Sequence, residues 1–216
     1  MGQLTSFLKS HKTSVLIAIL ILFYTVGVVG ISLPEYRDFF LSLSFFNLLL
    51  SMLIVLLARK HRFQHFILFL FVCFLVGITV EVIGTKTGLL FGNYSYGANL
   101  GPKIYGVPVV IGFNWGILVV SSASFIHRLK NLPLIGKVIL SALLMTLFDV
   151  LMEPIAIASD YWSWNGPIPF YNYVCWFAVS LPLHYLYYKT KLVEINKVFE
   201  VLFIIMSLFF VILMLI

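Results

Sequence analysis

The chain has 216 residues, of which 62% are hydrophobic and 10% charged, with a mean hydropathy of +1.07. A water-soluble domain needs more charge than that to cover its surface. The composition therefore excludes a soluble globular protein and indicates a multi-pass protein of the cell (inner) membrane, with residues 1–216 forming a single transmembrane domain. The net charge of +6 is distributed over short connections rather than gathered in one patch. It argues for topology-setting loops facing a lipid bilayer, with no nucleic acid among the partners. Cys73 and Cys175 both sit in apolar runs and define neither a disulfide framework nor a metal site.

In chain order, Lys9 and Lys12 precede an apolar stretch at 13–33. That stretch is too long for the core of a signal peptide and lacks a small-x-small cleavage site, so it reads as the first span. Further apolar segments follow near 39–58, 66–84, 107–126, 135–157, 171–188 and 198–216, against the ~20 residues a helix needs to cross a bilayer. The runs are continuous rather than alternating, and open sheets cannot span lipid. The expected fold is all-α with seven transmembrane helices.

Basic residues set the orientation. Lys9, Lys12, Arg59, Lys60, Arg62, Arg128, Lys130, Lys137, Lys189, Lys191 and Lys197 fall on one side, and Arg37, Lys86 and Lys103 on the other. Positive charge collects on the cytoplasmic side, which puts the N-terminus in the cytoplasm and the C-terminus outside. The inner connections are short and basic. The two outer ones, "GTKTGLLFGNYSYGANLGPKIYGVP" and "SDYWSWNGPIPFYN", are rich in Gly, Pro and aromatic residues, as compact structured loops are.

These two loops resemble each other. Each has an aromatic-x-aromatic unit (Tyr94 and Tyr96; Trp162 and Trp164), then Gly-Pro, a second Pro (Pro108; Pro169), and an Asn and a Trp entering the next span (Asn114 and Trp115; Asn172 and Trp176). Each follows a span with an acid near its outer end. The pattern suggests a parallel internal repeat, 66–126 and 135–188.

Glu81, Asp149 and Glu153 lie inside expected spans. A mid-helix Asp costs about 2.5–3.5 kcal/mol on insertion scales, so such residues are functional or paired within the bundle. Asp149 and Glu153 share one helix face at i, i+4, Pro154 beside them frees the carbonyl of Val150, and no basic residue lies at that depth. The bland alternative is protonated carboxyls acting as interhelical hydrogen-bond glue. The functional reading is an acid that keeps its proton in a dry pocket beside a second carboxyl, under aromatic faces that stabilise cations. Protonation of a carbon–carbon double bond requires that combination.

The segments "GLLFGNYSYGANLGPKIYGVPVVIGFNW" and "FDVLMEPIA", with "DYWSWNGPIPFYNYVCWF" after it, resemble the integral-membrane carotenoid-biosynthesis family, which includes the ψ-end carotenoid hydratases and bisanhydrobacterioruberin hydratase. The resemblance covers roughly 77–176, and many members carry Asp where this chain has Glu153. It implies addition of water across the terminal ψ-end double bond of an acyclic or monocyclic carotenoid, with no redox cofactor. Its partners would be a lipid-soluble carotenoid and other enzymes of the carotenoid pathway. Carried over residue by residue, Asp149 with Glu153 form the acid group and Glu81 faces them. Tyr94, Tyr96, Trp115, Trp162, Trp164 and Trp176 line the substrate, and Asn114 and Asn172 orient water or a carboxyl. Which acid donates the proton stays open. No phosphate-cradling Gly loop at a strand–helix junction is present.

Two rival readings stand beside this one. "HRFQH" spaces His61 and His65 as in membrane di-iron enzymes, but such sites need a larger His set, and a solvated inner loop explains the pair. His184 extends the Asn172–Trp176–Ser180 face inward and reads as a satisfied bundle histidine. Intramembrane acids also serve proton-coupled transporters, and a pigment-binding protein without catalysis would show the same aromatic residues. A transporter predicts a second polar cluster toward the inner face, which the sequence reading does not find.

Overall fold

The computed structural model describes residues 11–216; Lys9, counted among the basic residues of the inner side, lies outside the described residues. The described chain is helical: α1 (Lys12–Ser32), α2 (Arg37–Ser42), α3 (Ser44–Ala58), α4 (Phe63–Thr87), α5 (Val109–His127), α6 (Leu134–Ala158), α7 (Phe170–Lys189) and α8 (Lys197–Leu215). Four short strands occupy the connections: β1 (Tyr94–Tyr96), β2 (Lys103–Ile104), β3 (Val107–Pro108) and β4 (Trp162–Trp164). Five helices, α1, α4, α5, α6 and α8, are long and apolar enough to cross a membrane. The remaining long helix, α7, is not uniformly apolar: its 20 residues include a buried polar face of Asn172, Ser180 and His184.

The segment expected as one helix over 39–58 is divided at Leu43. The Ser42 hydroxyl donates to the carbonyl of Phe39 (2.7 Å), the acceptor that the Leu43 N–H would use in a continued α-helix. That N–H bonds Phe40 O instead, at 3.2 Å, and the chain turns. What remains, α3, has 15 residues and a length of about 22 Å, short of the ~30 Å hydrocarbon core. The preceding short helix α2 folds back on α1 at Gly30, where a Cβ would lie 2.1 Å from the Phe40 ring. Only glycine allows that approach.

Helix α5 is the axis of the bundle: Trp115, Ile117, Leu118, Val119 and Val120 are all fully buried. It packs against α4, α6, α8 and α3, while α6 packs most extensively on α7, and α1 on α8. The two ends differ in chemistry. At one end Arg59 donates to Leu192 O (2.6 Å) and pairs with Glu194 (3.3 Å), and Arg128 pairs with Glu200 (2.6 Å). There the Asn196 side chain also bonds Ala58 O (3.0 Å) and caps α8 through the Val198 N–H (3.0 Å). This is the basic end. The opposite, loop end holds α2, all four strands and the contacts Arg37 to Ala158 O (3.2 Å) and Ser44 to Tyr161 (2.6 Å).

Candidate functional site

The two aromatic-x-aromatic units pair with each other. Strands β1 and β4 run antiparallel, with Tyr94 opposite Trp164, Ser95 opposite Ser163 and Tyr96 opposite Trp162. Alternate residues of a strand share a face, so the four rings point together into the bundle and the two serines point out. Tyr94 and Trp164 lie 5.0 Å apart between centroids, Tyr96 and Trp162 6.0 Å. The sequence pattern did not announce this ribbon, because three-residue strands carry too little alternation to register. The neighbouring β2–β3 hairpin turns through Tyr105 and Gly106, both at positive φ (51° and 93°), as a type I′ turn requires.

Beneath the ribbon the acids are held by ring donors. Glu81 accepts from the hydroxyls of Tyr94 (2.5 Å) and Tyr96 (2.8 Å) on one oxygen and from the Trp115 indole N–H (3.2 Å) on the other. One oxygen of Glu153 accepts both the Trp162 and the Trp164 indole N–H, each at 3.0 Å. Asn172 donates its amide to Asp149 Oδ2 (2.8 Å) and, at 3.4 Å, to Glu153 Oε1. Asp149 Oδ1 is buried with no hydrogen-bond partner, as is Asn114 Oδ1. Hydrogen bonds to a charged group contribute about 1.5–3 kcal/mol each, and a buried acceptor left without one costs about 1–3 kcal/mol. Asp149 Oδ1 and Asn114 Oδ1 are therefore the exceptions among the polar groups of the cavity.

Helix starts set the depths. Pro108 and Pro169 are the N-caps of α5 and α7, positions where a missing N–H costs nothing. They deliver Asn114, Trp115, Asn172 and Trp176 to the level of the acids. Burial, and then the charge of Glu81, pushes the Tyr94 and Tyr96 phenols well above their ordinary range, so both remain O–H donors. Among the described residues the ion pairs are Arg59–Glu194 and Arg128–Glu200, both at the basic end; the three acids have no cationic partner there.

Glu81, Asp149, Glu153, Tyr94, Tyr96, Asn114, Trp162, Trp164, Asn172 and Trp176 line one small cavity of about 20 Å³. Trp115 stands behind it, stacked on Trp176. Phe91, Ile111 and Met152 also line it, and nothing distinguished them from ordinary apolar residues in the sequence. The cavity shares Ile111, Asn114, Met152 and Trp162 with a second, more apolar space of about 70 Å³. That space shares Ser44, Asn47 and Phe209 with a third of about 350 Å³, bordered by Phe23, Val26 and Phe46 on the exposed apolar surface. Separated by these shared side chains, the three lie in a row from the acids to the bundle exterior. Sequence reasoning missed the outer two: they bring residues of α1, α3 and α8, distant in the chain, against Phe148 and Met152 beside the acids on α6, and α2 closes the outermost.

A second polar cluster occupies the middle and basic half of the bundle. His184 bonds Ser122 Oγ (2.9 Å) and Ser180 O (2.9 Å), and the Tyr188 hydroxyl meets Ser141 Oγ and Ala123 O, each at 3.1 Å. The expectation that polar groups stop in the outer third is corrected here. Ser180, His184 and Tyr188 continue the i, i+4 row begun by Asn172 and Trp176, and their partners on α5 and α6 are serines that sequence inspection passed over. His184 has both ring nitrogens engaged. Among the described residues, no three His, Cys, Asp or Glu side chains come together in a group able to hold a metal ion.

Comparison with known proteins gives two matches. Residues 39–216 match the family described as carotenoid biosynthesis protein. The chain is also 29% identical over 108 residues to bisanhydrobacterioruberin hydratase of Haloarcula japonica, covering 45% of this chain and 36% of that protein. The chain thus spans about a third of the length of the curated relative it matches. No solved structure matches.

Proposed function

This chain belongs to the carotenoid biosynthesis protein family, and from that premise we propose that it adds water across the terminal ψ-end double bond of an acyclic or monocyclic carotenoid. The observation that carries the reading is the unsatisfied oxygen of Asp149, a residue lining a cavity that adjoins two more apolar spaces on the way to the bundle surface. A long lipid-soluble polyene entering along that row, with movement of the shared side chains, reaches the acids without leaving apolar surroundings. The name of the haloarchaeal relative, a hydratase, supports the same reaction class.

The chemistry balances without an oxidant or reductant. A carboxyl of the Glu81, Asp149 and Glu153 group gives its proton to the less substituted carbon of the double bond, leaving a tertiary carbocation on the other. The faces of Trp176 and the ribbon aromatics stabilise that cation. Water attacks it, a carbon–oxygen bond forms, and the proton released from the water returns to the carboxylate. Asn114 Oδ1, the other free acceptor in the cavity, is suited to hold that water, while Asn172 orients the carboxyl.

The same proposal includes seven membrane passages, the two structured loops outside and the N-terminus in the cytoplasm, with α2–α3 and α7 completing the five longer apolar helices. The gathering of Arg59, Arg62 and Arg128 at one end supports that orientation. Other carotenoid-pathway enzymes are its proposed neighbours.

The test is the pigment content of a host that makes ψ-end carotenoids and has no hydratase of its own. Expression of the full chain should convert them to tertiary alcohols; unchanged pigments would favour the rival reading, a proton-coupled transporter or a pigment-binding protein. The polar cluster around His184 is the observation on that side. Its hydrogen bonds close on serines and backbone carbonyls, the arrangement of interhelical packing.

A further inference from the structure

The pairing of the loops is unchanged if the two halves of the molecule are exchanged. Exchange sends Tyr94 to Trp162, Ser95 to Ser163 and Tyr96 to Trp164, and the observed register, Tyr94 with Trp164 and Tyr96 with Trp162, maps onto itself. Trp115 and Trp176, each seven residues after its N-cap proline, also stack on one another, 4.5 Å apart. Glu81 and Glu153 correspond, and each is held by the two ribbon aromatics of its own half. The helices that carry these acids have 25 residues each.

Three polar positions of the cavity break this correspondence, one of them Asn114, six residues after Pro108, against Cys175, six after Pro169. Four residues before Glu153 stands Asp149; four before Glu81 stands Gly77. A Cβ on Gly77 would lie 2.7 Å from the Trp115 ring, so the first half has no room for a counterpart. Three residues after Pro169 stands Asn172; three after Pro108 stands Ile111. The departures at Asp149 and Asn172 touch: Asn172 donates to Asp149 at 2.8 Å. They also meet where a hydrogen bond is missing, at the unpartnered Oδ1 of Asp149, a fully buried residue that lines the cavity.

We infer that 66–126 and 135–188 are related by an approximate two-fold axis through the Ser95–Ser163 pair and the Trp115–Trp176 stack, and that Asp149, the carboxyl that breaks this symmetry, is the single proton donor of the site. Glu81 and Glu153 are not donors. Both carboxyl oxygens of each already accept hydrogen bonds, in Glu81 from two phenols and an indole N–H and in Glu153 from two indole N–H groups and an amide N–H. Both remain carboxylates, a fixed negative field beneath the ribbon. Asp149 needs one oxygen as acceptor, for Asn172, and has the other free to carry the proton toward substrate. The field that keeps the proton on Asp149 equally favours the carbocation formed when the proton moves, so donor and field act in one direction. Asn172 is a positioning residue.

This inference rests on the hydratase reading for what receives the proton, but its test need not. Infrared spectroscopy of the purified full chain at neutral pH detects the C=O stretch of a protonated carboxyl. The band should be present in the wild type, absent in Asp149→Asn, and retained in Glu81→Gln and Glu153→Gln. Asp149→Glu guards against misfolding of the amide variant: it should keep a protonated-carboxyl band at a shifted frequency. In the hydration assay Asp149→Asn should lose on the order of 10²–10⁴ in rate, with partial recovery in Asp149→Glu. A band that survives in Asp149→Asn, or that disappears in Glu153→Gln, overturns the assignment. If the wild type hydrates no carotenoid while the infrared pattern holds, the hydratase reading fails and the assignment of the protonated acid stands.

Discussion

Trp115 and Trp176 stack with ring centroids 4.5 Å apart and planes 11° from parallel. One ring comes from α5 and the other from α7, so the stack joins the two helices that enter the bundle beneath the loops. Trp115 is also fixed from behind by its N–H bond to Glu81 (3.2 Å) and by the flat surface of Gly77. It has no freedom to yield.

A methyl group at position 77 should therefore destabilise the protein. In Gly77→Ala the new Cβ would meet Trp115 Cδ1 at 2.7 Å and Cγ at 2.8 Å. Overpacking of this kind costs about 1–3 kcal/mol. Thermal unfolding in detergent should show a lowered melting temperature, and an unchanged one would mean that the stack is looser than its geometry indicates.

The passage from the bundle surface makes a kinetic prediction. Gly27 lines the outermost space, and a Cβ there would sit 3.5 Å from Phe209, an ordinary contact. Gly27→Trp should fold normally and fill the mouth with an indole. If substrate enters there, KM should rise by roughly tenfold with kcat little altered, the pattern of lost binding rather than lost chemistry. Equal KM values for variant and wild type would place the entry elsewhere.

The origin of the product oxygen separates hydration from oxygenation. Cells grown in ¹⁸O-labelled water should carry the label in the new tertiary hydroxyl, and cells grown under labelled dioxygen should not. Label arriving from dioxygen would sink the acid-catalysed scheme, since carbocation capture by water leaves no place for it.

Topology has its own check. With the N-terminus in the cytoplasm and seven passages, a reporter fused after Ile216 should be active when it requires the outer compartment and silent when it requires the cytoplasm. The reverse result would remove one passage, and the divided α2–α3 segment would be the first candidate.

The sequence by itself determined the class of molecule and the inventory of the site. Composition alone demands a membrane, because 10% charged residues cannot cover a soluble surface. Buried acids are legible in one dimension, since an ionisable group inside an apolar run stands out against its neighbours. The loop motifs were legible as a repeated pattern of aromatic, Gly and Pro residues. Tertiary structure decided what these parts do to one another. Tyr94 and Trp164 are 70 positions apart in the chain, and only folding pairs their strands into the ribbon that supplies four ring donors to two acids. The break at Leu43 turned on one serine hydroxyl taking one carbonyl, a choice that hydropathy does not register. Ile111 and Met152 became cavity walls because of which helix face turned inward. That Asp149 differs from Glu153 was likewise invisible beforehand. Both are carboxyls on one face of α6, and the number of donors that reach each is fixed by elements distant in sequence.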